Sequence, residues 1–174
     1  MVKSYYPINL DIDGKKCVVV GGGRVAERKV VALLRFGAAV VVVSSSFTAK
    51  LRCLARERRI ELIRRRYRAG DLSGAILAIA ATDDPAANEK ISEDAEKGKI
   101  LVNVVDKPSL CSFIAPSIIK RGPLMVSIST SGQAPALSKA LRVKLEELIS
   151  PRMGKLVEEL GKRRRKLGTA SFRT

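Results

Sequence analysis

The sequence contains no histidine and no tryptophan, and aromatic residues make up only 4% of its 174 residues. Without histidine, a Ser–His–Asp triad, a Cys–His catalytic pair and a histidine-ligated metal are all excluded. Its cysteines, Cys17, Cys53 and Cys111, are odd in number, far apart and without metal-ligand spacing. We therefore expect reduced, mostly buried thiols in a cytosolic protein that has no metal site.

Long apolar runs are also absent. No uninterrupted apolar stretch approaches the ~20 residues that a membrane-spanning helix needs, and the N-terminus lacks the layout of a signal peptide. The G-x-x-x-x-G-K-[ST] motif of P-loop ATPases does not occur either. These absences predict a cytoplasmic location and no membrane partner.

Acidic residues are scarce in two basic stretches of a chain whose net charge is +16. Residues 52–68 carry eight arginines against Glu57 and Glu61, and the C-terminal stretch from Gly161 carries no acid. Such charge is typical of a solvated basic face, or of a surface that attracts nucleic acid, an anionic membrane or a polyanionic small substrate. Because the stretches lack interleaved aromatic residues and any reader motif, we expect no specific nucleic-acid partner.

The most informative motif lies at residues 16–29, where an apolar run passes into three glycines and then into a helical pattern. The spacing G-x-G-x-x-A falls on Gly21, Gly23 and Ala26. A glycine at 21 permits a sharp turn, a glycine at 23 permits close approach to a pyrophosphate, and a small residue at 26 lets the helix pack on the strand. The motif predicts a dinucleotide site, or else a tight strand–helix turn with no ligand.

Apolar runs alternate with helical patterns along the first part of the chain, which is typical of βαβ units. The pattern predicts strands at 17–20, 39–43, 60–63, 75–81 and 100–105, and helices at 24–36, 48–58 and 85–97. We therefore predict an α/β fold with a Rossmann-like, doubly wound parallel sheet in residues 1–110.

The pattern changes after Pro108. Residues 112–119 and 124–129 predict two further strands, and a helix follows at 135–149. We expect residues 111–150 to form a small α/β dimerisation segment, because two strands and a helix are thin for a free-standing domain. Residues 151–174 are predicted to form a short, basic helical C-terminal region.

Ligands of an open parallel sheet bind beyond the carboxyl ends of its strands. Candidate residues there are Ser44 to Ser46, Thr82 to Asp84 and Asn103 to Asp106, in addition to the glycine turn. The serines are either ribose contacts or a polar turn, and they leave the preference between NAD and NADP open. Thr82 to Asp84 also suit a helix cap. Asp106 is either a proton acceptor beside a nicotinamide or an aspartate that bonds the amides of its own turn.

Six segments occur in a specific order and spacing, at residues 6–8, 18–29, 78–84, 103–106, 112–119 and 123–132. Together they resemble the precorrin-2 dehydrogenase family, which includes the N-terminal module of multifunctional siroheme synthase. The resemblance covers residues 5–150. It implies NAD-dependent oxidation of the tetrapyrrole precorrin-2 to sirohydrochlorin by an intertwined homodimer.

The resemblance also implies roles for particular residues. Asp106 takes the place of the family's key aspartate and is the expected catalytic residue. Expected cofactor contacts are Gly21, Gly22, Gly23, Arg24, Val25, Ser45, Ser46 and Thr82. Expected substrate contacts are Asn103, Ser129, Thr130 and Ser131. We expect a dehydrogenase alone, because the chain has room for about one helix after Pro151. The alternatives are an enzyme that also inserts iron or cobalt, and a non-catalytic NAD-sensing module.

Overall fold

The computed structural model describes residues 4–167 and shows two compact units. The first is Tyr5–Ile114, and the second contains Ser4 and the described residues from Ala115 onward. The predicted basic C-terminal region lies only partly within the described residues, since Arg173 and the rest of residues 168–174 fall outside them. Within Tyr5–Ile114 and the described part of the second unit, no helix is long and apolar enough to cross a membrane.

The first unit is an alternation of strands and helices. Its strands are β1 (Lys16–Val20), β2 (Ala39–Ser44), β3 (Ile60–Arg64), β4 (Leu77–Ala80) and β5 (Leu101–Val104). Its α-helices are α1 (Arg24–Leu34), α2 (Ala49–Arg56) and α3 (Pro85–Lys97). Short 3-10 turns follow β3 (Ala69–Leu72) and β5 (Pro108–Leu110).

The five strands form one parallel sheet in the order β3-β2-β1-β4-β5, which confirms the predicted doubly wound fold. The central strands β1 and β4 are almost entirely apolar on both faces because helices cover both. One core layer contains Val19, Val30 and Leu51, and the other contains Val18, Ile91 and Val102. The strand order reverses between β1 and β4, and this reversal defines the switch point at which such sheets bind ligands.

Local sequence explains where two helices of this unit begin. Thr48 caps α2, because its hydroxyl oxygen accepts a hydrogen bond from the amide of Leu51. Asp84 caps α3 by accepting from the amides of Ala86 and Ala87, and Pro85 occupies the first helical position. Both caps agree with the sequence pattern.

The second unit contains β6 (Ser117–Arg121), β7 (Leu124–Ile128), α4 (Pro135–Leu148) and α5 (Pro151–Leu167). The two strands form an antiparallel hairpin closed by Gly122 and Pro123, as predicted. Helix α5 packs closely on β6, since a Cβ at the buried Gly154 would overlap the carbonyl oxygen of Arg121. The predicted start of the first of these strands, at Ser112, was wrong by five residues.

The reason for this error lies in the first unit. Ser112 and Phe113 bond the backbone of Val102 at the outer edge of β5 without forming a regular strand. The first residues of the predicted strand therefore cover the outer edge of the parallel sheet, and only its later residues form β6. The predicted division at residues 110 and 150 stays a prediction, beside an observed boundary between Ile114 and Ala115.

Candidate functional site at the carboxyl edge of the sheet

Four strand ends carry the predicted site residues along one edge of the sheet. In spatial order they are the serine turn after β2, the glycine turn after β1, Thr82 after β4 and Asp106 after β5. At a spacing of about 4.8 Å per strand, this row extends over roughly 14 Å. The glycine turn and Thr82 flank the switch point between β1 and β4, so the fold brings these predicted residues to one rim.

The glycine turn is closely packed at its first two positions. Gly21 has a φ of +125°, and a Cβ there would overlap the carbonyl oxygen of Ala81 at the end of β4. A Cβ at Gly22 would overlap the carbonyl oxygen of Ser46. Gly21 therefore has the predicted role in the turn, while the packing role of Gly22 depends on a contact with a distant loop that the motif does not reveal.

Gly23 differs from its neighbours because a Cβ there would meet no atom within 4 Å. It has a φ of −83°, which any residue can adopt, and it precedes the first turn of α1. No side chain caps this helix, so the amides of its first turn are open to an anion. Ala26 is fully buried against the sheet, as the motif predicts. This arrangement fits a pyrophosphate of a dinucleotide.

The loop after β2 is tied to the glycine turn. The amide of Thr48 donates to the carbonyl of Gly22 at 3.0 Å, and the Thr48 hydroxyl donates to the carboxylate of Glu27 at 2.6 Å. Ser45 and Ser46 are exposed on this loop. Glu27 is therefore held by a threonine on the far side of the turn, and the serine hydroxyls remain the exposed polar groups at the end of β2.

An open depression of about 630 Å³ lies beside this loop. Its lining includes three cations that the motif analysis did not connect, namely Arg24, Arg28 and Lys50, together with Glu27, Thr48 and Ala49. Arg24 and Arg28 lie one helical turn apart on α1, and Lys50 lies on α2. The sequence does not show that Arg24, Arg28 and Lys50 line one depression. They come together only because the loop after β2 brings α2 next to α1.

Thr82 has local hydrogen bonds. Its hydroxyl lies 2.8 Å from the side-chain oxygen of Asn88, and it accepts from the amide of Asp84 at 3.2 Å. The side-chain amide of the buried Asn88 donates to the carbonyl of Thr82. The hydroxyl therefore stabilises the start of α3, which agrees with the helix-cap interpretation of this segment. Thr82 is half-buried and also lines the rim of the sheet.

Asp106 is exposed and occupies a left-handed backbone conformation, with a φ of +60°. Its turn is closed by a hydrogen bond from the amide of Lys107 to the carbonyl of Val104, at 3.3 Å. Among residues 4–167 the Asp106 carboxylate has no hydrogen-bond partner, so the carboxylate does not cap its own turn. The backbone instead presents it at the rim of the sheet.

Lys29, on the inner flank of α1, is a functional candidate that sequence reasoning missed. Burial and the neighbouring Arg28 lower the pKa of its ammonium group, whereas the negative charge of Asp106 acts to raise that pKa. These interactions show that α1 lies within electrostatic range of the turn that carries Asp106. The sequence offers only an Arg-Lys pair at this place, with no signal that the lysine side faces β5.

Asn103 lies inside β5 and is buried, and its side-chain amide donates to the carbonyl of Phe113 at 3.1 Å. This amide therefore stabilises the segment that covers the edge of β5. It is one of the predicted substrate contacts, and the structure shows a role for it within the fold. The exposed residue of this strand end is Asp106.

The remaining predicted substrate contacts belong to the second unit. The amide of Ser131 donates to the Ser129 hydroxyl at 3.1 Å, and the amide of Ala134 donates to the Thr130 hydroxyl at 3.0 Å. The Thr130 hydroxyl lies 3.2 Å from that of the buried Ser138. Ser131 has a φ of +54°. These contacts build a compact hydroxyl-rich turn before α4.

No group of three or more His, Cys, Asp or Glu side chains that could hold a metal ion occurs among the residues that the structure describes. Of the cysteines, Cys17 and Cys111 are buried and Cys53 is exposed. Burial raises the pKa of the Cys17 thiol to about 11, so that thiol stays protonated at neutral pH.

Comparison with known proteins places these features in a family. Residues 8–117 match a family model described as "Putative NAD(P)-binding", and residues 121–148 match one described as "Sirohaem biosynthesis protein central". The chain is 44% identical over 158 residues to siroheme synthase 1 of Serratia proteamaculans, covering 91% of this chain and 33% of that protein. It is 45% identical over 162 residues to siroheme synthase of Nitrosospira multiformis, covering 91% and 34%. The chain thus spans about a third of the length of these relatives.

A solved structure agrees with this result. The fold is similar to that of "SirC, precorrin-2 dehydrogenase", with a TM-score of 0.76 and 26% identity over 98% of this chain and 84% of that one. The resemblance noted in the sequence is therefore confirmed, and the chain belongs to the family whose model is described as "Putative NAD(P)-binding".

Proposed function

We propose that this chain oxidises precorrin-2 to sirohydrochlorin, with NAD as the oxidant, in siroheme biosynthesis. The observation that carries the proposal is the placement of the open glycine turn and Asp106 at one carboxyl edge of the sheet, on opposite sides of the switch point. The similarity to a precorrin-2 dehydrogenase structure over nearly the whole chain supports it.

The residues of the rim fit a dinucleotide. Gly23 leaves the backbone accessible to a pyrophosphate, and the amides of Arg24 and Val25 lie at the uncapped start of α1. The exposed hydroxyls of Ser45 and Ser46 suit a ribose. When bound, NAD would supply the acceptor for the two electrons that leave the substrate as hydride.

Asp106 would take the proton. Conversion of precorrin-2 to sirohydrochlorin removes one hydride and one proton from the macrocycle, so a base at the rim completes the balance. The Asp106 carboxylate is exposed, and no described residue donates a hydrogen bond to it, which leaves both oxygens able to accept a proton from the substrate. After the turnover the carboxylic acid releases the proton to water.

The charge of the molecule suits this substrate. Precorrin-2 carries eight carboxylates, and a chain with a net charge of +16 raises the local concentration of such a polyanion. Ser129, Thr130 and Ser131 are proposed to hold substrate carboxylates through the hydroxyls and amides of their turn. This turn belongs to the second unit, so its proposed role in substrate binding can be tested separately from the rim residues.

We also propose that the active form is a homodimer joined through the second unit. Several large apolar side chains of its helices are exposed, and burial of such a face against a second copy would remove it from water. They are Leu137, Leu141, Val143 and Leu148 on α4 and Met153, Leu156 and Leu160 on α5.

The variant Asp106→Asn tests the catalytic assignment. Asparagine tolerates the left-handed conformation, so the turn is kept while the base is lost. We expect kcat for sirohydrochlorin formation to fall about 100-fold or more, with the Kd for NAD unchanged in isothermal titration calorimetry. Glu93→Gln, an exposed change on α3, serves as the matched control. Full turnover by Asp106→Asn would remove Asp106 as the base, and an inactive wild-type protein would refute the proposed function.

A further inference from the structure

The turn that carries Asp106 is attached to an outer strand of the sheet. Strand β5 pairs with β4 on one side only, so the backbone groups on its other side need partners from elsewhere. At Val102 the partner is Ser112, whose amide donates to the Val102 carbonyl at 2.9 Å and whose hydroxyl accepts from the Val102 amide at 2.8 Å. At Val104, two residues further along, the same edge faces the side chain of Cys111.

The Cys111 thiol takes the place of a backbone partner at Val104. Its sulfur accepts a hydrogen bond from the Val104 amide at 3.2 Å and lies 3.3 Å from the Val104 carbonyl oxygen, to which it can donate. The sulfur also lies 3.4 Å from the carbonyl oxygen of Lys107. Val104 and Lys107 are the two ends of the turn that contains Asp106, so one buried side chain contacts both ends.

This contact matters because interactions within the turn itself do little to hold its conformation. Asp106 holds a φ of +60°, which side chains other than glycine, asparagine and aspartate rarely adopt. One backbone hydrogen bond, from Lys107 to Val104, closes the turn, and the Asp106 carboxylate adds none among the described residues. Contacts from outside the turn, such as that of Cys111, therefore supply much of what holds it in place.

We propose that Cys111 is a positioning residue, whose thiol joins the two ends of the Val104–Lys107 turn and thereby holds the Asp106 carboxylate at the rim of the sheet. The inference rests on the proposed role of Asp106 and adds a residue to it. The thiol is 5% exposed, so it acts through this turn and not by contact with cofactor or substrate.

Three substitutions separate hydrogen bonding from packing. Cys111→Ser keeps a donor and an acceptor, Cys111→Val fills the site without either, and Cys111→Ala removes both volume and hydrogen bonds. Cys53→Ala is the control, because Cys53 is exposed on α2. Each variant is assayed for sirohydrochlorin formation, for NAD affinity, and for hydrogen exchange at the amides of Val104 and Lys107.

We expect Cys111→Val to lower kcat about tenfold or more, because a small displacement of a reacting group has a large effect on rate. Its Kd for NAD should stay unchanged, since the glycine turn follows β1, two strands away in the sheet. Exchange at Val104 and Lys107 should accelerate at least tenfold, whereas exchange in β1 should not. Cys111→Ser should recover most of kcat and of the protection.

The opposite results would overturn the inference. Wild-type kcat and wild-type exchange in Cys111→Val would show that the thiol does not hold the turn. A loss of thermal stability with unchanged kcat would show a structural role alone. If the wild-type protein does not oxidise precorrin-2, the proposed function fails, and the exchange measurements still decide whether Cys111 holds the turn.

Discussion

Adjacent glycines in the turn after β1 have opposite surroundings, although both belong to the same short motif. A Cβ at Gly22 would overlap the carbonyl oxygen of Ser46, whereas a Cβ at Gly23 would meet no protein atom within 4 Å. The first glycine is therefore required by the fold, whereas the second would be required only by the proposed cofactor, if its pyrophosphate approaches the backbone there. This difference allows cofactor binding to be separated from folding by single methyl groups.

The prediction at this scale concerns Gly23→Ala. We expect its melting temperature to match that of the wild type, because its φ of −83° suits alanine and the space is open. Its Kd for NAD should rise about tenfold or more, equivalent to at least 1.4 kcal/mol. Calorimetry and thermal unfolding measure the two quantities.

Two control variants bracket this result. Gly70→Ala adds a methyl group to open space far from the motif and should change neither quantity. Gly22→Ala should destabilise the protein by about 1–3 kcal/mol through overpacking. Unchanged NAD affinity in Gly23→Ala would show that the pyrophosphate does not approach this residue.

Residues whose roles come from local chemistry could be predicted from the sequence. Gly21 turns the chain and Asp84 caps a helix, because both act on backbone atoms within a few residues. The packing of Gly22, the surroundings of Lys29 and the proposed role of Cys111 could not be predicted. Each depends on a partner at least seven residues away, which only the packed sheet brings close.

Among the elements of the fold, the parallel strands could be recognised from the sequence, because burial on both faces gives them apolar runs. The run of β4 is apolar throughout and that of β1 is apolar after Lys16, and helical patterns separate them. Residues 112–116 have a similar apolar character, but Ser112 and Phe113 bond the outer edge of β5 by way of a serine hydroxyl and irregular backbone bonds. Composition does not distinguish such an edge cover from a strand, so the start of β6 was misplaced.

The connection between β3 and β4 contains an ion pair between the half-buried Arg65 and the buried Asp71. The Asp71 carboxylate accepts from the guanidinium of Arg65 at 2.8 Å and from the amide of Arg68 at 2.8 Å. The hydrogen bond from Arg65 is the main reason that the pKa of Asp71 lies below its ordinary value, with the Arg68 amide acting in the same direction. Part of the arginine-rich stretch therefore has a structural role.

We expect the acid stability of the fold to depend on this carboxylate. Because the pKa of Asp71 is lower in the folded state, its stabilisation is complete above the unfolded value of about 3.9 and is lost as the pH falls through the folded value. Asp71→Asn should therefore lower the unfolding free energy at pH 7 and flatten its decline below about pH 4. Urea unfolding at several pH values measures this, with the exposed Asp83→Asn as control. Parallel acid profiles for Asp71→Asn and wild type would contradict the expectation.

The two units of the molecule differ in how completely their apolar surfaces are buried. The core of Tyr5–Ile114 is covered on both faces of the sheet. In the second unit the hairpin and α4 leave large apolar side chains in water, with Leu137 52% exposed and Leu148 70% exposed. Two strands and a helix in residues 111–150 are thin for a free-standing domain, and the dimerisation role expected of this segment stays a prediction.

The proposed homodimer predicts a particular mass for the protein in solution. The wild-type protein should sediment at twice its monomer mass of 18.9 kDa at micromolar concentration. A double variant, Leu137→Glu with Leu141→Glu, should lose about 1.5 kcal/mol or more of association free energy, since full burial of a leucine contributes roughly 1.5–3 kcal/mol and these two are about half exposed in the monomer. The dimer dissociation constant should therefore rise about tenfold or more.

Lys139→Glu alters charge on the same helix without removing an apolar side chain, and it should remain dimeric. Comparison of the three proteins separates apolar burial from a general charge effect, because only the double variant removes leucines. A monomeric wild type, or a double variant that dimerises like the wild type, would show that this face of α4 is not the interface between copies.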